Sequence, residues 1–278
     1  MLQESGIDQK EPPKGGLPQF GDHLHDEQQL SDERGLHIDK VGVSGLRYPI
    51  EVCDRASLTQ STVATIAMYV DLDQSFKGTH MSRFIEVLNS HGSIISVDNI
   101  SELLIEMKER LNSKNSYLEI EFPYFISKKA PVTQQVGLID YKVRFDVSLI
   151  NEGIDFGMTL KVPVTTLCPC SKAISEYGAH NQRGEVSVSI RSNETVWIED
   201  LIKVVESCAS SELYSLLKRV DEKVVTERAY ENPVFVEDLV RNVVTKLKTD
   251  SNITWYRVEA ENYESIHNHN AYACIESG

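Results

Sequence analysis

Residues 141–164 read YKVRFDVSLINEGIDFGMTLKVPV and contain two strand patterns in succession. Over 141–149 apolar and polar side chains alternate, which is typical of a strand with one buried face. A second strand pattern covers 154–164. The patterns up to and including the strand over 141–149 follow the order strand, strand, helix, helix, strand, strand. The same order begins again with the strand over 154–164. This stretch therefore joins two halves of similar architecture.

The remaining strand and helix patterns lie on both sides of this stretch. Upstream, strands are predicted over 41–52, 62–70 and 117–122. Between the last two, helical spacing places Met81, Phe84, Ile85 and Leu88 on one stripe, and then Ile100, Leu103, Leu104, Met107 and Leu111 on another that starts near Asp98. Downstream, the patterns predict a strand over 185–190, helices over 198–219 and 234–248, and strands over 253–261 and 271–275.

The repeated order predicts an α+β fold of two tandem ββααββ modules, over 37–150 and 151–278, after a flexible acidic tail over 1–36. Each module would form a four-stranded antiparallel sheet with two helices on one face. The halves share this architecture but no aligned sequence motif. A sheet with free edges and a polar second face favours oligomerisation into a closed barrel, because closure removes the unpaired edges.

The composition limits the classes of function. A hydrophobic fraction of 41% over 278 residues is ordinary for a folded globular protein. The 28 basic and 42 acidic residues give a formal charge of −14, which argues against broad binding to nucleic-acid phosphates. We expect no membrane partner and a cytoplasmic protein, since no apolar run has the length of a membrane span and no signal-peptide pattern begins the sequence. The five scattered cysteines suit free thiols better than a disulfide framework.

The stretch 165–184, TTLCPCSKAISEYGAHNQRG, indicates chemistry. Cys168 and Cys170 flank a proline, and His180 follows in the same polar, glycine-containing loop. Thiols and an imidazole brought together are what a divalent metal or an activated nucleophile requires. The Cys-X-Cys spacing is too short for a zinc knuckle, and no second Cys pair completes a closed structural site. In an extended segment both thiols would face one cavity.

Ordinary structural interpretations stand beside these candidates. A free cysteine is most often a small buried hydrophobe, although the polar neighbours here argue against burial in an apolar core. A lone loop histidine is most often solvated. A catalytic metal site also needs a third ligand, which helical periodicity does not select. Glu222 falls on the polar face of a helix predicted from Leu213 onward, and Glu237 near the start of a helix capped by Asn232, where solvated carboxylates are common.

Further polar candidates lie in two other places and in the Cys/His loop itself. Near the C-terminus, Glu264 precedes His267 and His269 in a stretch too polar for a core. Two basic groups are candidates for binding phosphate. They are Lys77, His80 and Arg83 at a predicted helix start, and Lys172 and Arg183 in the Cys/His loop.

Four separated segments, 165–184, 221–233, 235–238 and 264–267, resemble the prokaryotic GTP cyclohydrolase IB family. The similarity as a whole runs from about Asp39 to the C-terminus. It implies a tunnelling fold, or T-fold, with two tandem modules per subunit and a homotetramer. It also implies metal-dependent hydrolysis of GTP to 7,8-dihydroneopterin triphosphate and formate, the first step of tetrahydrofolate, pterin and deazapurine biosynthesis.

The resemblance further implies a metal site. Cys168, His180 and Glu222 match the family's ligands for a divalent ion, with an open position for the attacking water. Thiolate, imidazole and carboxylate together accept zinc, manganese or iron(II). Cys168 therefore belongs to the catalytic set, and Cys170 matches a second active-site cysteine.

Roles in proton transfer and substrate binding follow from the same resemblance. Glu264 and His267 match groups at the reacting centre, where ring opening needs general acids and bases. Glu237 matches the carboxylate that accepts hydrogen bonds from guanine. The candidates for binding the triphosphate remain Lys77, His80, Arg83, Lys172 and Arg183.

Two other functions stay open on the residues alone. A non-catalytic oligomeric protein would use the same ligands to close a structural metal site. Another T-fold enzyme acting on purines or pterins, such as the nitrile reductase of queuosine synthesis, would use a thiol nucleophile and NADPH.

Overall fold

The computed structural model describes residues 28, 30–92, 94–95 and 97–277. Most of the predicted tail, 1–27 and 29, lies outside these residues. Its described end is bonded to the rest of the protein, since Ser31 pairs with Phe76 and Lys77 N donates to Leu30 O at 3.0 Å. The folded part of the chain therefore begins before residue 37.

The described residues form ten strands and six helices. The first half contains β1 (Ile38–Asp54), β2 (Leu58–Leu72), α1 (Met81–His91), β3 (Ile94–Ile95), α2 (Val97–Leu111), β4 (Ser116–Lys129) and β5 (Val136–Ile150). The second half contains β6 (Gly153–Leu167), α3 (Pro169–Ile174), β7 (Asn181–Ser192), α4 (Ile198–Glu206), β8 (Ser211–Glu212), α5 (Arg219–Glu231), α6 (Val236–Leu247), β9 (Ile253–Asn262) and β10 (Ala271–Glu276). Among the described residues no helix has the length and apolar character needed to cross a membrane.

The strands form one sheet in the order β10-β9-β7-β6-β5-β4-β2-β1-β3, and β8 pairs with β6. All long strands pair antiparallel with their neighbours. A tight turn at Asn151 and Glu152 joins β5 to β6, and both residues have positive φ, as a type I′ hairpin requires. Helices connect β2 to β4 and β7 to β9. The second half departs from the predicted order, because three helices, α4, α5 and α6, lie between β7 and β9, and the short α3 lies between β6 and β7.

Alternation of side chains decides which face of the sheet is buried. On β4 the residues Leu118, Ile120 and Phe122 are almost fully buried, while Glu119 and Glu121 between them face the other way. The helices cover the apolar face and complete a single core with it. The opposite face is polar, as predicted for an antiparallel sheet with one covered face.

The helix predicted over 198–219 is wrong in its second part. α4 ends at Glu206, small residues follow, and Ser211 and Glu212 pair with β6 instead. Leu213, Leu216 and Leu217 lie in an irregular segment, because tertiary contact with β5 takes precedence over their helical spacing. Val220 and Val224 of the same predicted stripe belong to α5. A side chain at Gly137 would lie 2.3 Å from Ser215 Oγ, so this segment packs directly on the strand backbone.

One predicted helix cap is also wrong. Asn232 ends α5, where its N–H donates to Arg228 O, and α6 begins after Phe235. The Asn-Pro pair belongs to the connection between the two helices, which is the other position that such a pair favours. Glu237 nevertheless lies in the first turn of α6, as predicted.

Candidate active site

The two predicted ligands of the Cys/His loop lie at one end of the β6–β7 hairpin. Leu167 and Asn181 form the last pair of the hairpin register, so Cys168 follows β6 directly and His180 precedes β7 directly. Cys168 N donates to His180 O at 3.1 Å and closes the loop between them. Gly178 has a φ of 94°, a left-handed conformation that lets the chain turn back toward β7. Strand pairing therefore brings this thiol and this imidazole together.

The imidazole of His180 is oriented by two neighbours on the hairpin. Its Nδ1 lies 2.9 Å from Gln182 Oε1, and Gln182 Nε2 lies 2.9 Å from Thr166 Oγ1. Residues two apart on a strand face the same side, which places His180 above Gln182. Thr166 is the register partner of Gln182 on β6 and is fully buried. The strand pair therefore fixes both contacts.

A second loop brings Glu264 and His267 to the same place. Tyr263 N donates to Arg183 O at 2.9 Å and so extends the β7–β9 pairing to the residue before Glu264. Glu264 Oε2 lies 3.9 Å from His180 Nδ1 and 3.2 Å from His267 Nδ1. The Glu264 side chain is only 12% exposed, whereas that of His267 is 49% exposed. The predicted proton-transfer pair is therefore in contact, with His267 on the solvent side.

Two features of this second loop were not assigned from the sequence. The ring of His269 stacks on that of His267, with centroids 5.1 Å apart, and the His267 ring lies 6.3 Å from that of His180. The close approach of β7 and β9 depends on Gly184, where an added Cβ would lie 2.7 Å from Asn262 Oδ1. Period-two spacing of His267 and His269 was the only sequence pattern that pointed to the stack.

The prediction of an extended Cys-Pro-Cys segment is wrong. Pro169 begins α3, a conformation for which its fixed φ is suited, and Cys168 becomes the N-cap whose Sγ accepts a hydrogen bond from Ser171 N at 3.4 Å. On a helix, positions two apart point about 200° away from each other. Cys168 is accordingly half-buried beside the hairpin end, whereas Cys170 is exposed.

Glu222 and Glu237 occupy the first turns of α5 and α6, and both are exposed. The start of α6 lies close to Cys168, since Val234 N donates to Leu167 O at 3.1 Å. Among the described residues no three His, Cys, Asp or Glu side chains form a group that could hold a metal ion. Cys168 and His180 fit a divalent cation as soft and borderline donors on one closed loop, whereas no contact joins Glu222 to them.

The position of Glu222 on α5 is set by its neighbour Asp221. This fully buried carboxylate accepts hydrogen bonds from Val132 N, Thr133 N and Lys218 N at 2.9 Å each and from Thr133 Oγ1 at 2.6 Å. Burial raises the pKa of Asp221, but these hydrogen bonds outweigh it and hold that pKa well below its ordinary value. The turn between β4 and β5 thus anchors the start of α5.

The basic candidates for phosphate binding are dispersed in the single chain. Lys172 donates to Tyr230 O on α5, and its Nζ lies 4.4 Å from the centre of the Tyr230 ring. Arg183 is exposed on β7 and alternates to the face opposite that of Gln182. His80 and Arg83 belong to the start of α1, next to strands at the other end of the sheet. Arg83 donates to Arg110 O at 3.1 Å.

A buried charge network connects the first half to the elements around α5. Lys128 Nζ on β4 lies 2.7 Å from Glu206 Oε1 and 2.7 Å from Glu212 Oε2, and the Lys128 side chain is 11% exposed. Tyr141 Oη donates to Glu206 Oε1 at 2.7 Å. Burial raises the pKa of Glu206, and burial together with the Glu206 charge raises the pKa of Tyr141. For Glu212, bonds from Lys128 and Tyr214 overcome the effect of burial and lower the pKa.

The family of the chain follows from comparison with known proteins. Residues 24–273 match the family model described as type I GTP cyclohydrolase FolE2. The chain belongs to the type I GTP cyclohydrolase family. A relative in this family, the GTP cyclohydrolase FolE2 of Akkermansia muciniphila, is 58% identical over 256 residues, which are 91% of this chain and 97% of that protein. The FolE2 protein of Geotalea uraniireducens is 56% identical, over 91% of this chain and 93% of that protein. The prediction of a type I GTP cyclohydrolase is confirmed.

Solved structures of urate oxidases have the same fold as this cyclohydrolase family member. A urate oxidase of Bacillus sp. TB-90 superimposes with a TM-score of 0.53 at 7% sequence identity, over 86% of this chain and 99% of that chain. Urate oxidase of Bacillus subtilis gives a TM-score of 0.50 at 8% identity, over 86% of this chain and 98% of that chain. At such identities the likeness concerns the fold alone. The predicted α+β T-fold is confirmed at that level.

Proposed function

We propose that the protein is a GTP cyclohydrolase I of the IB subtype. It would convert GTP and water into 7,8-dihydroneopterin triphosphate and formate, at the start of tetrahydrofolate, pterin and deazapurine synthesis. The observation that carries the proposal is the meeting of the Cys168 and His180 loop with Glu264 and His267, in a chain 58% identical to a GTP cyclohydrolase. A cytoplasmic location fits this role.

Cys168 and His180 are the residues that would hold a divalent metal, and Glu222 is proposed as the third donor. Zinc, manganese and iron(II) all accept this set of ligands. When bound, such an ion polarises water and supplies a nucleophile for C8 of the purine at neutral pH. His180 suits this role because its Nδ1 is bonded to Gln182. Cys170 is proposed as a neighbouring thiol without a ligand role.

Glu264 and His267 are proposed to move protons during opening of the imidazole ring and loss of formate. His267 Nδ1 lies 3.2 Å from Glu264 Oε2, so the carboxylate can accept the Nδ1 proton and leave Nε2 facing the substrate. The half-exposed ring of His267 leaves room for a ligand beside it. Together the pair can hold a proton and pass it to a ligand beside the ring.

Guanine and triphosphate are assigned to separate groups. Glu237, exposed on the first turn of α6, would accept two hydrogen bonds, from N1–H and from the exocyclic amine, which selects guanine over adenine. Lys172, Arg183, His80 and Arg83 are proposed for the triphosphate. His80 and Arg83 lie at the other end of the sheet within one chain, so another subunit would have to supply them to the site.

We further propose a homotetramer in which the two modules, 37–150 and 151–278, close a barrel with those of other subunits. The supporting observations are that β10 and the β1–β3 pair form the outer edges of the sheet built by the described residues, and that its second face is polar. Closure would satisfy the unpaired backbone groups of those edges. Sedimentation equilibrium tests the assembly, and a monomer at micromolar concentration would refute it.

The decisive experiment is turnover by the purified protein loaded in turn with zinc, manganese and iron(II). Formate and a dihydropterin chromophore should both form from GTP, and absence of both with every metal would refute the enzyme. In that case stoichiometric bound metal would favour the non-catalytic oligomeric protein instead. Reduction of a nitrile substrate by NADPH, without formate release, would favour the other T-fold enzyme.

Single substitutions separate the assigned roles. Cys168→Ala and His180→Ala should lose bound metal and turnover together, because each removes a donor. Glu237→Ala should keep its metal and lose GTP affinity. Glu222→Ala tests the third donor, and full metal content with full activity in this variant would remove Glu222 from the set. Elemental analysis of each variant supplies the measurement.

A further inference from the structure

We propose that Gln182 is a positioning residue that holds His180 as its Nδ1–H tautomer and so presents the Nε2 lone pair to the metal. The proposal rests on the proposed function, since it requires His180 to be a ligand. It concerns a residue that is neither a ligand nor a group at the reacting centre.

The contacts that carry the proposal form a short chain across the hairpin. Gln182 Oε1 lies 2.9 Å from His180 Nδ1, and Gln182 Nε2 lies 2.9 Å from Thr166 Oγ1. Only 8% of Gln182 and none of Thr166 is exposed. Opposite positions in the β6–β7 register hold the two side chains against each other. The amide therefore has little freedom to turn away from the imidazole.

The direction of the hydrogen bond follows from the charge beside it. The Thr166 hydroxyl can donate or accept, so it suits either orientation of the amide. Glu264 Oε2, however, lies 3.9 Å from the same Nδ1. A carboxylate at that distance favours a proton on Nδ1 over a lone pair, and Nδ1–H requires an acceptor at Gln182. With Nδ1 protonated in a neutral ring, Nε2 carries the lone pair that a metal needs.

This arrangement is the one expected of a metal-bound histidine, whose other ring nitrogen donates to a fixed acceptor. Loss of such an acceptor typically weakens metal binding about 10- to 100-fold, because ring orientation and tautomer are no longer set. A carboxylate accepts the same Nδ1–H bond as an amide oxygen. Glutamate at this position should therefore preserve the function, whereas an apolar side chain of similar size should not.

The test compares zinc affinity, by competition with a chromophoric chelator, for wild type, Gln182→Glu and Gln182→Leu. Gln182→Leu should bind zinc about 10- to 100-fold more weakly, and Gln182→Glu should stay close to wild type. Gln60→Leu is the matched control, because Gln60 bonds the backbone of Phe125 at 2.7 and 2.8 Å far from the loop. Its zinc affinity should not change.

Cobalt(II) absorption gives a readout that does not depend on turnover, since a disturbed imidazole ligand shifts the ligand-field bands. Thr166→Val, which keeps the shape of the core, should weaken zinc binding in the same direction if Gln182→Leu does not fold. Equal zinc affinity in wild type and Gln182→Leu, or an equal loss in Gln182→Glu, would overturn the positioning role and leave the metal site standing. A wild-type protein that binds no zinc, manganese or iron(II) would overturn both.

Discussion

Replacement of Lys128 by methionine should be among the most destabilising single changes in this protein. Lys128 Nζ lies 2.7 Å from both Glu206 Oε1 and Glu212 Oε2, and also donates to Leu213 O at 3.0 Å. The Glu206 side chain is 9% exposed. Methionine keeps most of the aliphatic volume but removes the charge, so two carboxylates would face each other without their common partner.

The loss in free energy of unfolding depends on the hydrogen bonds that Glu206 and Glu212 keep after the substitution. Glu212 keeps bonds from Arg228 at 3.2 Å and from Tyr214 Oη, whereas among the described residues the Tyr141 hydroxyl is the one donor left to Glu206. Breaking a buried ion pair by removing one partner typically costs about 3–5 kcal/mol, because the other charge is left in a medium of low dielectric constant. With an m value of about 3 kcal/mol per M urea, the unfolding midpoint should fall by about 1–1.7 M.

Urea unfolding followed by circular dichroism, at one fixed protein concentration, measures this change. The matched control is Lys223→Met, which breaks the exposed i,i+4 pair with Glu227 and should cost less than about 0.5 kcal/mol. Equal midpoints for the two variants would refute the reasoning that burial of Lys128 makes its charge essential.

The loss of folding stability in Lys128→Met relative to wild type should also change with pH in one direction. Burial already raises the pKa of Glu206, and loss of the lysine raises it further. When the pKa of a carboxyl group is higher in the folded state than in the unfolded state, the protein loses stability as the pH rises from the lower of these two pKa values to the higher. The difference from wild type should therefore be larger at pH 8 than at pH 5.5, and a larger difference at the lower pH would contradict the assignment to Glu206.

Two further changes test the framework of the site. Gly184→Ala should lower turnover, because the new Cβ would lie 2.9 Å from Glu261 O and force β9 away from β7. The contact of Glu264 with the imidazole loop should weaken as a result. Unchanged kinetics would show that the strands can adjust. Asp221→Asn should be less stable than wild type above pH 5. The low pKa of Asp221 contributes stability that is lost as the pH falls, so this gap should shrink below pH 4, as pH-dependent thermal unfolding can show.

Most of the fold could be predicted from the sequence because its strands alternate cleanly and its helices carry continuous apolar stripes. The stripe predicted for α2 is buried throughout, whereas on α1 Phe84 and Leu88 are buried but Met81 is exposed and Val87 joins the core instead. The long strands extend the predicted ones at their ends, most of all β4, which was predicted to end at 122 and ends at Lys129. The prediction failed where small and apolar residues follow each other, as after Glu206. In that segment the pairing of Ser211 and Glu212 with β6 and the packing of Ser215 on Gly137 compete with helix formation. Both contacts involve residues far away in sequence.

The site was predictable only in part. The pairing of Cys168 with His180 could be inferred, since both lie in one loop whose flanking strands are evident. The meeting of that loop with Glu264 depends on β7–β9 pairing, and only the resemblance placed Glu264 at the reacting centre. The Lys128 network and the Gln182 contact had no signature, because a polar residue in a strand pattern does not reveal its partner across the sheet.

The short distance in sequence between Cys168 and His180 has a consequence for folding. Hairpin pairing of β6 with β7 already imposes the entropic cost of closing the intervening loop, before any ion is present. An ion bound there would stabilise a loop that is already ordered, unlike the ion of a zinc finger, which must order the whole domain. Chelation should therefore abolish metal-dependent turnover while leaving the far-ultraviolet circular dichroism of the protein intact, so that activity returns on adding metal back without refolding.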